Sequence, residues 1–237
     1  MLSRKVAVIG VGMIKFGELF DKSFEDMMYE AFANAIKDAK VEAKDIEAAW
    51  VGTTGAGRYI RGGSTGSSAT DPLRLYPKPA TRVENACASG TDAVRNAAFA
   101  VAAGAYDIVL AIGVEKMRDI GPRDSLIALA AGGRHPIWNR GLTTPGYFAL
   151  YATRHMKLFG TTKEQLAKVA VKNHHNGTLN PYAYFRYDVT VEQVMRAPIV
   201  ASPLGLLDCC PVSDGCAAVI LCNGEKARKY TDTPVYI

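Results

Sequence analysis

The sequence predicts an α/β fold: a mainly parallel five-stranded sheet with helices on both faces, interrupted by an inserted loop subdomain. Three observations predict it. Short apolar runs alternate with stretches of helical periodicity through residues 1–115, the rhythm of strand–helix–strand units. Residues 116–206 break that rhythm with Gly and Pro turns between helical stretches, too long and too structured for a connecting loop. Residues 215–222 then return to an alternating, strand-like pattern.

Residues 4–11 are a short apolar run and the first strand. Gly10-Val11-Gly12 resembles the opening of a dinucleotide fingerprint, but Lys15 stands where the third glycine belongs, so no Rossmann cofactor site is expected. Ser23 caps a helix, with Asp26 three residues on as a capping box. Phe24, Met27, Met28, Ala31, Ala35, Ile36 and Ala39 follow at helical spacing and mark a core-facing stripe. Residues 46–53 read as the second strand. The Gly/Ser/Thr-rich stretch at 52–70 lacks the Gly-Lys-Ser/Thr ending of a phosphate loop and reads as a tight loop and short helix near a partner surface. Residues 81–86 and 106–114 supply the third and fourth strands. Helices are expected at 145–159 and 162–175, followed by the Tyr-rich NPYAYFRYD. NGEKARKY gives a turn and a short helical stretch, and Thr-Pro-Val-Tyr-Ile begins a further strand.

The chain has 237 residues, 49% hydrophobic and 22% charged, enough for a sizeable core. Nothing approaches the ~20 uninterrupted apolar residues of a membrane span. The five cysteines, at 87, 209, 210, 216 and 222, are odd in number and mostly gathered in one apolar segment, so a reducing, cytoplasmic location is expected rather than a disulfide scaffold. They have no CxxC spacing, and no metal site is expected. Of the histidines, His174 and His175 are read as exposed residues ending a helix before Asn176-Gly177 rather than as ligands. Net charge is +5, and residues 116–206 alone carry a surplus of seven positive charges. A solvated basic surface, nucleic acid and a phosphate-rich small ligand are all compatible with that surplus, but no recognised nucleic-acid motif accompanies it.

Residues 82–91, RVENACASGT, run from a β-prone stretch through Cys87 into a helix dominated by alanine and glycine as far as Gly104. A helix apolar and small almost all round is normally buried. A cysteine at its start meets the positive end of the helix dipole, which favours a nucleophilic sulfur. Cys87 is therefore either a reactive thiol or, like most free cysteines, a small buried hydrophobe.

VENACASGTDAV, together with VAVIGVGMIKFGE at the start, GVEKM at 113–117, residues 159–186 and CCPVSDGCAAVIL at 209–221, resembles the thiolase superfamily, in particular its archaeal and SCP2-type members. The resemblance covers the whole chain. It implies a thiolase-like N-terminal half with residues 1–115 as the nucleophile-bearing core, 116–206 as a basic loop subdomain on the coenzyme A side, and 207–237 as a return strand and the start of a linker. It makes Cys87 the catalytic nucleophile. His155-Met156 resembles a His-Met pair that some thiolases place near the acyl chain, and Cys210 stands where relatives often carry a serine touching the pantetheine arm.

The implied activity is acyl transfer between coenzyme A thioesters through a cysteinyl acyl-enzyme, forming or cleaving acetoacetyl-CoA, with no bound cofactor. The family's other catalytic motifs, NEAF/HEAF-like, GHP-like and CxGGG-like, do not occur; Arg134-His135-Pro136 lies in the loop region and is not that GHP. The chain is therefore expected to be incomplete without a C-terminal half, and to form a homo-oligomer or a complex with such a half. A small OB-fold zinc protein and HMG-CoA synthase are further partners implied by the resemblance; nucleic acid and membrane are not. The rivals are a condensing enzyme like HMG-CoA synthase or the ketoacyl synthases, a thiolase-like aldolase, for which a chain lacking this cysteine is expected, and a non-catalytic interaction subunit.

Overall fold

The computed structural model describes residues 4–55, 65–121, 124, 136 and 141–237. Residues 56–64 of the Gly/Ser/Thr-rich stretch, and His135 with Arg134, lie outside the described residues. In order, the chain forms β1 (Val6–Met13), α1 (Phe24–Ala39), β2 (Ala48–Gly52), α2 (Thr65–Ser68), β3 (Ala80–Val83), α3 (Ser89–Ala102) and β4 (Ile108–Glu115). There follow helices α4 (Thr144–Phe159), α5 (Lys163–Leu179) and α6 (Val191–Arg196), strands β5 (Ile199–Ala201) and β6 (Leu204–Gly205), then β7 (Gly215–Asn223) and β8 (Val235–Tyr236). They divide into two compact units: residues 1–119 with 213–237, and residues 120–212. Among the described residues no helix is long and apolar enough to cross a membrane.

The first unit is built on a six-stranded sheet in the order β3-β2-β4-β7-β1-β8. The sheet is mixed rather than mainly parallel. β3, β2 and β4 run parallel, whereas β7 is antiparallel to both β4 and β1, and β8 is antiparallel to β1. The reason lies in where the chain returns. Glu115, the last residue of β4, pairs with Gly215, the first of β7, so the re-entering strand has to run back down the sheet.

Both faces are covered, as the alternation of side chains along the strands requires. Ile9, Val51, Leu110, Ile112, Cys216 and Ile220 face α1, whose Met27, Met28, Ala31 and Ala35 are buried against them. Val6, Ala48, Val109, Ala111 and Leu221 face α3 through Ala93, Ala97 and Val101. The start of α1 carries the expected capping box: Ser23 Oγ accepts the Asp26 N–H at 3.0 Å and Asp26 Oδ2 accepts the Ser23 N–H at 2.9 Å. A Cβ on Gly12 would lie 2.1 Å from the Ala31 carbonyl oxygen, so this glycine serves close strand–helix packing.

Lys116 and Asp214 are buried where the chain leaves the sheet and comes back to it, at 4% and 0% exposure. Asp214 Oδ1 accepts the N–H groups of Met117 and Arg118 at 2.7 and 2.9 Å, and Oδ2 accepts that of Leu19 at 3.0 Å. Lys116 Nζ donates to the Leu19 carbonyl at 2.8 Å and lies 2.9 Å from Asp119 Oδ1 and 3.6 Å from Asp214 Oδ2. One carboxylate and one ammonium thus hold three separate chain segments together.

In the second unit α5 continues past Asn176-Gly177 to Leu179, so His174 and His175 lie inside the helix and do not end it. The last turn is held from outside by Arg186, which donates to the Thr178 carbonyl at 3.1 Å, and from within by Thr178 Oγ1, which donates to the His175 carbonyl at 2.7 Å. His174 is half-buried against the Tyr187 ring at 5.2 Å, and the exposed His175 meets Asp188 at 3.0 Å. α5, α6 and the 206–208 turn enclose a small core of Ala167, Ala170, Val189 and Val194.

Removing one partner of a buried, multiply bonded ion pair leaves an uncompensated charge and costs about 3–5 kcal/mol. Asp214→Ala is expected to lower the unfolding free energy by that amount in urea titrations followed by circular dichroism; a change under ~1 kcal/mol would show that the pair does not hold the junction.

Candidate active site

β2, β3 and β4 end side by side at Gly52, Val83 and Glu115, and the carboxyl ends of parallel strands are where open α/β sheets bind ligands. From β3 the chain turns through Glu84-Asn85-Ala86-Cys87-Ala88 into α3. Ala86 has φ 45°, in the left-handed region that costs a residue with a Cβ about 1–2 kcal/mol. Several hydrogen bonds hold it there. Glu84 Oε1 accepts the Ala86 N–H at 2.7 Å. The Ala86 carbonyl accepts from Thr54 Oγ1 at 2.7 Å, Ser89 Oγ at 2.6 Å and the Ser89 N–H at 3.1 Å. Ser89 Oγ in turn accepts the Asn85 N–H at 2.9 Å.

Cys87 is exposed immediately after this strained residue. Helix α3 begins at Ser89, two residues later than the sequence suggests, so Cys87 stands just ahead of the first turn rather than within it. The bland alternative of a buried hydrophobe does not describe Cys87 in this chain. Nor is α3 buried all round. Ala93, Ala97 and Val101 are covered, whereas Thr91, Arg95 and Phe99 are exposed at i, i+4, i+8 spacing. Arg95 lies over the Phe99 ring at 5.1 Å. The start of α3 is pressed onto the sheet: a Cβ at Gly52 would lie 2.4 Å from the Ser89 carbonyl oxygen.

Sequence reasoning does not single out Thr54 or Glu115. Glu115 Oε2 accepts the Thr54 N–H at 2.9 Å, and Oε1 accepts the Gly55 N–H at 2.9 Å and the Thr53 hydroxyl at 3.2 Å. Burial pushes its carboxyl above the usual range, while these hydrogen bonds and the Arg82 guanidinium pull the other way. The available signal is a charged residue closing an otherwise apolar, buried strand.

The other candidate residues lie in the second unit. His155 is exposed on α4, with Nδ1 2.9 Å from Thr161 Oγ1 and its ring 4.7 Å from that of Phe159. It lines an open, mostly apolar hollow of about 450 Å³ with Tyr151, Leu158, Phe159 and Leu166. Its neighbour Met156 is half-buried and does not line that hollow. Cys210 is exposed in the segment before β7.

The cysteines separate by environment. Cys216 and Cys222 are buried in β7. Burial pushes both thiols up, that of Cys222 to about 11. Cys209 is half-buried and raised by burial and by Asp208. Iodoacetamide near neutral pH is therefore expected to modify Cys87 and Cys210 first. Cys210 joins Cys87 because it too is on the surface. Peptide mapping that finds Cys216 or Cys222 labelled before unfolding would overturn the assignment. A thiol raised in the folded state stabilises fully below its ordinary value of 9.0, so the Cys222 contribution should fade as pH rises through about 11.

Comparison with known proteins identifies the family. Residues 6–225 match the family model for the thiolase N-terminal domain. The chain is 52% identical over 236 residues to the acetyl-CoA acetyltransferase of Methanothermobacter thermautotrophicus, covering 99% of this chain and 61% of that protein. It is 43% identical over 238 residues to the enzyme of the same name from Methanocaldococcus jannaschii, covering 99% of this chain and 60% of that protein. It thus spans about three-fifths of the length of these relatives. Among solved structures, an Ltp2-ChsH2(DUF35) aldolase superposes with a TM-score of 0.77 at 26% identity, over 100% of this chain and 60% of that one. The chain belongs to the thiolase family, as a member of its N-terminal domain.

Proposed function

We propose that the chain performs the acylation step of a thiolase, with Cys87 as the nucleophile and a coenzyme A thioester as substrate. The observation that carries this is the exposed Cys87 held beyond a left-handed residue, at the carboxyl ends of three parallel strands. The sulfur attacks the thioester carbonyl carbon to form a tetrahedral oxyanion. The bond from that carbon to the coenzyme A sulfur breaks, coenzyme A leaves as the thiol with the proton that the Cys87 thiol gave up on attack, and an S-acyl cysteine remains. The Cys87 N–H, ahead of α3, is suited to help hold the oxyanion. Transfer of the acetyl group to a second acetyl-CoA gives acetoacetyl-CoA, and attack on acetoacetyl-CoA gives the reverse thiolysis. The names of the archaeal relatives favour acetyl-CoA among thioesters.

In this reading the base that deprotonates the second acetyl unit belongs to a C-terminal half or partner chain. Such a partner would also cover Thr91, Arg95 and Phe99 on α3, and the chain is expected in an oligomer or a complex. The surplus of seven positive charges at 116–206 would attract the coenzyme A phosphates. The hollow beside His155 is a candidate for the pantetheine or acyl arm, with Cys210 retained as a second candidate contact.

The likeness to an aldolase supports a second reading, carbon–carbon bond chemistry without an acyl-cysteine. Incubation with acetyl-CoA followed by intact and peptide mass spectrometry separates the two. One acetyl group on Cys87, lost in Cys87→Ser, is the expected result; an unmodified Cys87 at saturating acetyl-CoA would remove the thiolase reading.

Coenzyme A affinity is expected to fall as salt rises, because exposed charges are screened over about 8 Å at physiological ionic strength. Titration calorimetry at low and high salt checks this. Salt-independent binding would assign the affinity to the pantetheine arm instead.

A further inference from the structure

The geometry points to Glu115 and Thr54 as a positioning pair for Cys87: Glu115 fixes the 53–55 backbone, and Thr54 pins the left-handed turn that presents the thiol. The inference rests on the reading of Cys87 as the nucleophile and extends it to residues that do not themselves react.

Three observations carry it. First, Glu115 ends β4, a strand paired with β7 along its whole length and with β2 from Val109 to Gly113, so its carboxylate projects from a rigid element. Both of its oxygens are committed to one loop, to the N–H groups of Thr54 and Gly55 and the hydroxyl of Thr53. Arg82 approaches the same loop from β3, donating to the Thr53 carbonyl at 3.3 Å. Second, with its backbone held, Thr54 directs its hydroxyl to the Ala86 carbonyl at 2.7 Å and lies 3.2 Å from Ser89 Oγ. Third, that carbonyl belongs to the described residue immediately before Cys87, whose φ of 45° is unfavourable for alanine and persists only where neighbours over-determine it. The Ser89 hydroxyl makes the same contact from the helix side, at 2.6 Å. The turn is thus clamped from β4 through Thr54 on one side and from α3 on the other.

A residue that merely stabilised the fold would change the melting temperature and the labelling of every cysteine together. A positioning residue changes the behaviour of Cys87 selectively. Thr54→Val removes the hydroxyl at constant shape, Thr54→Ser restores it, and Glu115→Gln sets an amide N–H₂ against backbone donors. The test uses the 237-residue chain. Single-turnover acylation by acetyl-CoA gives a maximal rate and a half-saturating concentration, and iodoacetamide gives the rate at Cys87 relative to Cys210 in the same molecule.

Thr54→Val is expected to lower the maximal acylation rate and the Cys87:Cys210 ratio about three- to tenfold, the range set by loss of one hydrogen bond. The half-saturating concentration should stay unchanged. Thr54→Ser should recover both rates, and Glu115→Gln should lower them at least as far as Thr54→Val. Unchanged rates in Thr54→Val, or no recovery in Thr54→Ser, would overturn the inference even if Cys87 is acylated normally. If the parent chain takes up no acetyl group, the nucleophile reading fails, and the alkylation ratio still decides whether the pair positions the thiol.

Discussion

The buried pair of Lys116 and Asp214 is the constraint on which the sheet's layout depends. The residues between them form a separate compact unit, so the sheet must release the chain after β4 and recover it before β7 at the same end. A buried charge is tolerated only when it is paired and hydrogen-bonded. Here the lysine meets a carbonyl and two carboxylates, while the aspartate collects three backbone N–H groups. Because those donors come from residues 19, 117 and 118, the pair also fixes the segment after β1. Antiparallel β7 and its place between β4 and β1 are consequences of that return.

The same end of the sheet carries the candidate chemistry, and close packing brings it there. Gly52 allows the start of α3 to lie against β2, and Gly90 and Gly113 let the helix approach β4, where a Cβ on Gly113 would be 3.4 Å from the Gly90 Cα. The short turn from β3 into α3 then passes through a left-handed residue, and Cys87 emerges into solvent. The strain at Ala86 is offset by hydrogen bonds from hydroxyl and amide groups contributed by β2's loop and by α3. Burial sets two other thiols apart: Cys216 and Cys222 face apolar neighbours, which disfavour the thiolate. One chain thus contains both an exposed cysteine at a helix start and inert cysteines inside a strand.

α3 illustrates how far composition alone reaches. Its alanines and glycines suggest burial on every side, yet in this chain the face bearing Thr91, Arg95 and Phe99 is open. Small side chains specify that a backbone can be approached closely, but they do not specify how many neighbours make the approach. A single sheet covers only the face that its alternating residues meet.

The sequence by itself determined the strand–helix alternation, the α1 stripe with its Ser23–Asp26 cap, the helix following Cys87 and the strand at 215–222. Each of these rests on local chemistry, either apolar period or side-chain-to-backbone bonding within a few residues. It also marked Cys87, through its place before a helix and the surrounding VENACASG. Strand direction and neighbour order were decided only by tertiary structure, because β7 returns from the end at which β4 stops and pairs with β1 across more than 200 residues of chain. The length of α5 was decided by Arg186 reaching back to Thr178, a contact that helix propensity at Asn176-Gly177 does not encode. The roles of Thr54 and Glu115 are of the same kind. Neither residue stands at a diagnostic spacing from Cys87, and only parallel strands ending side by side bring a threonine from β2's loop and a glutamate from β4 to the turn that β3 feeds.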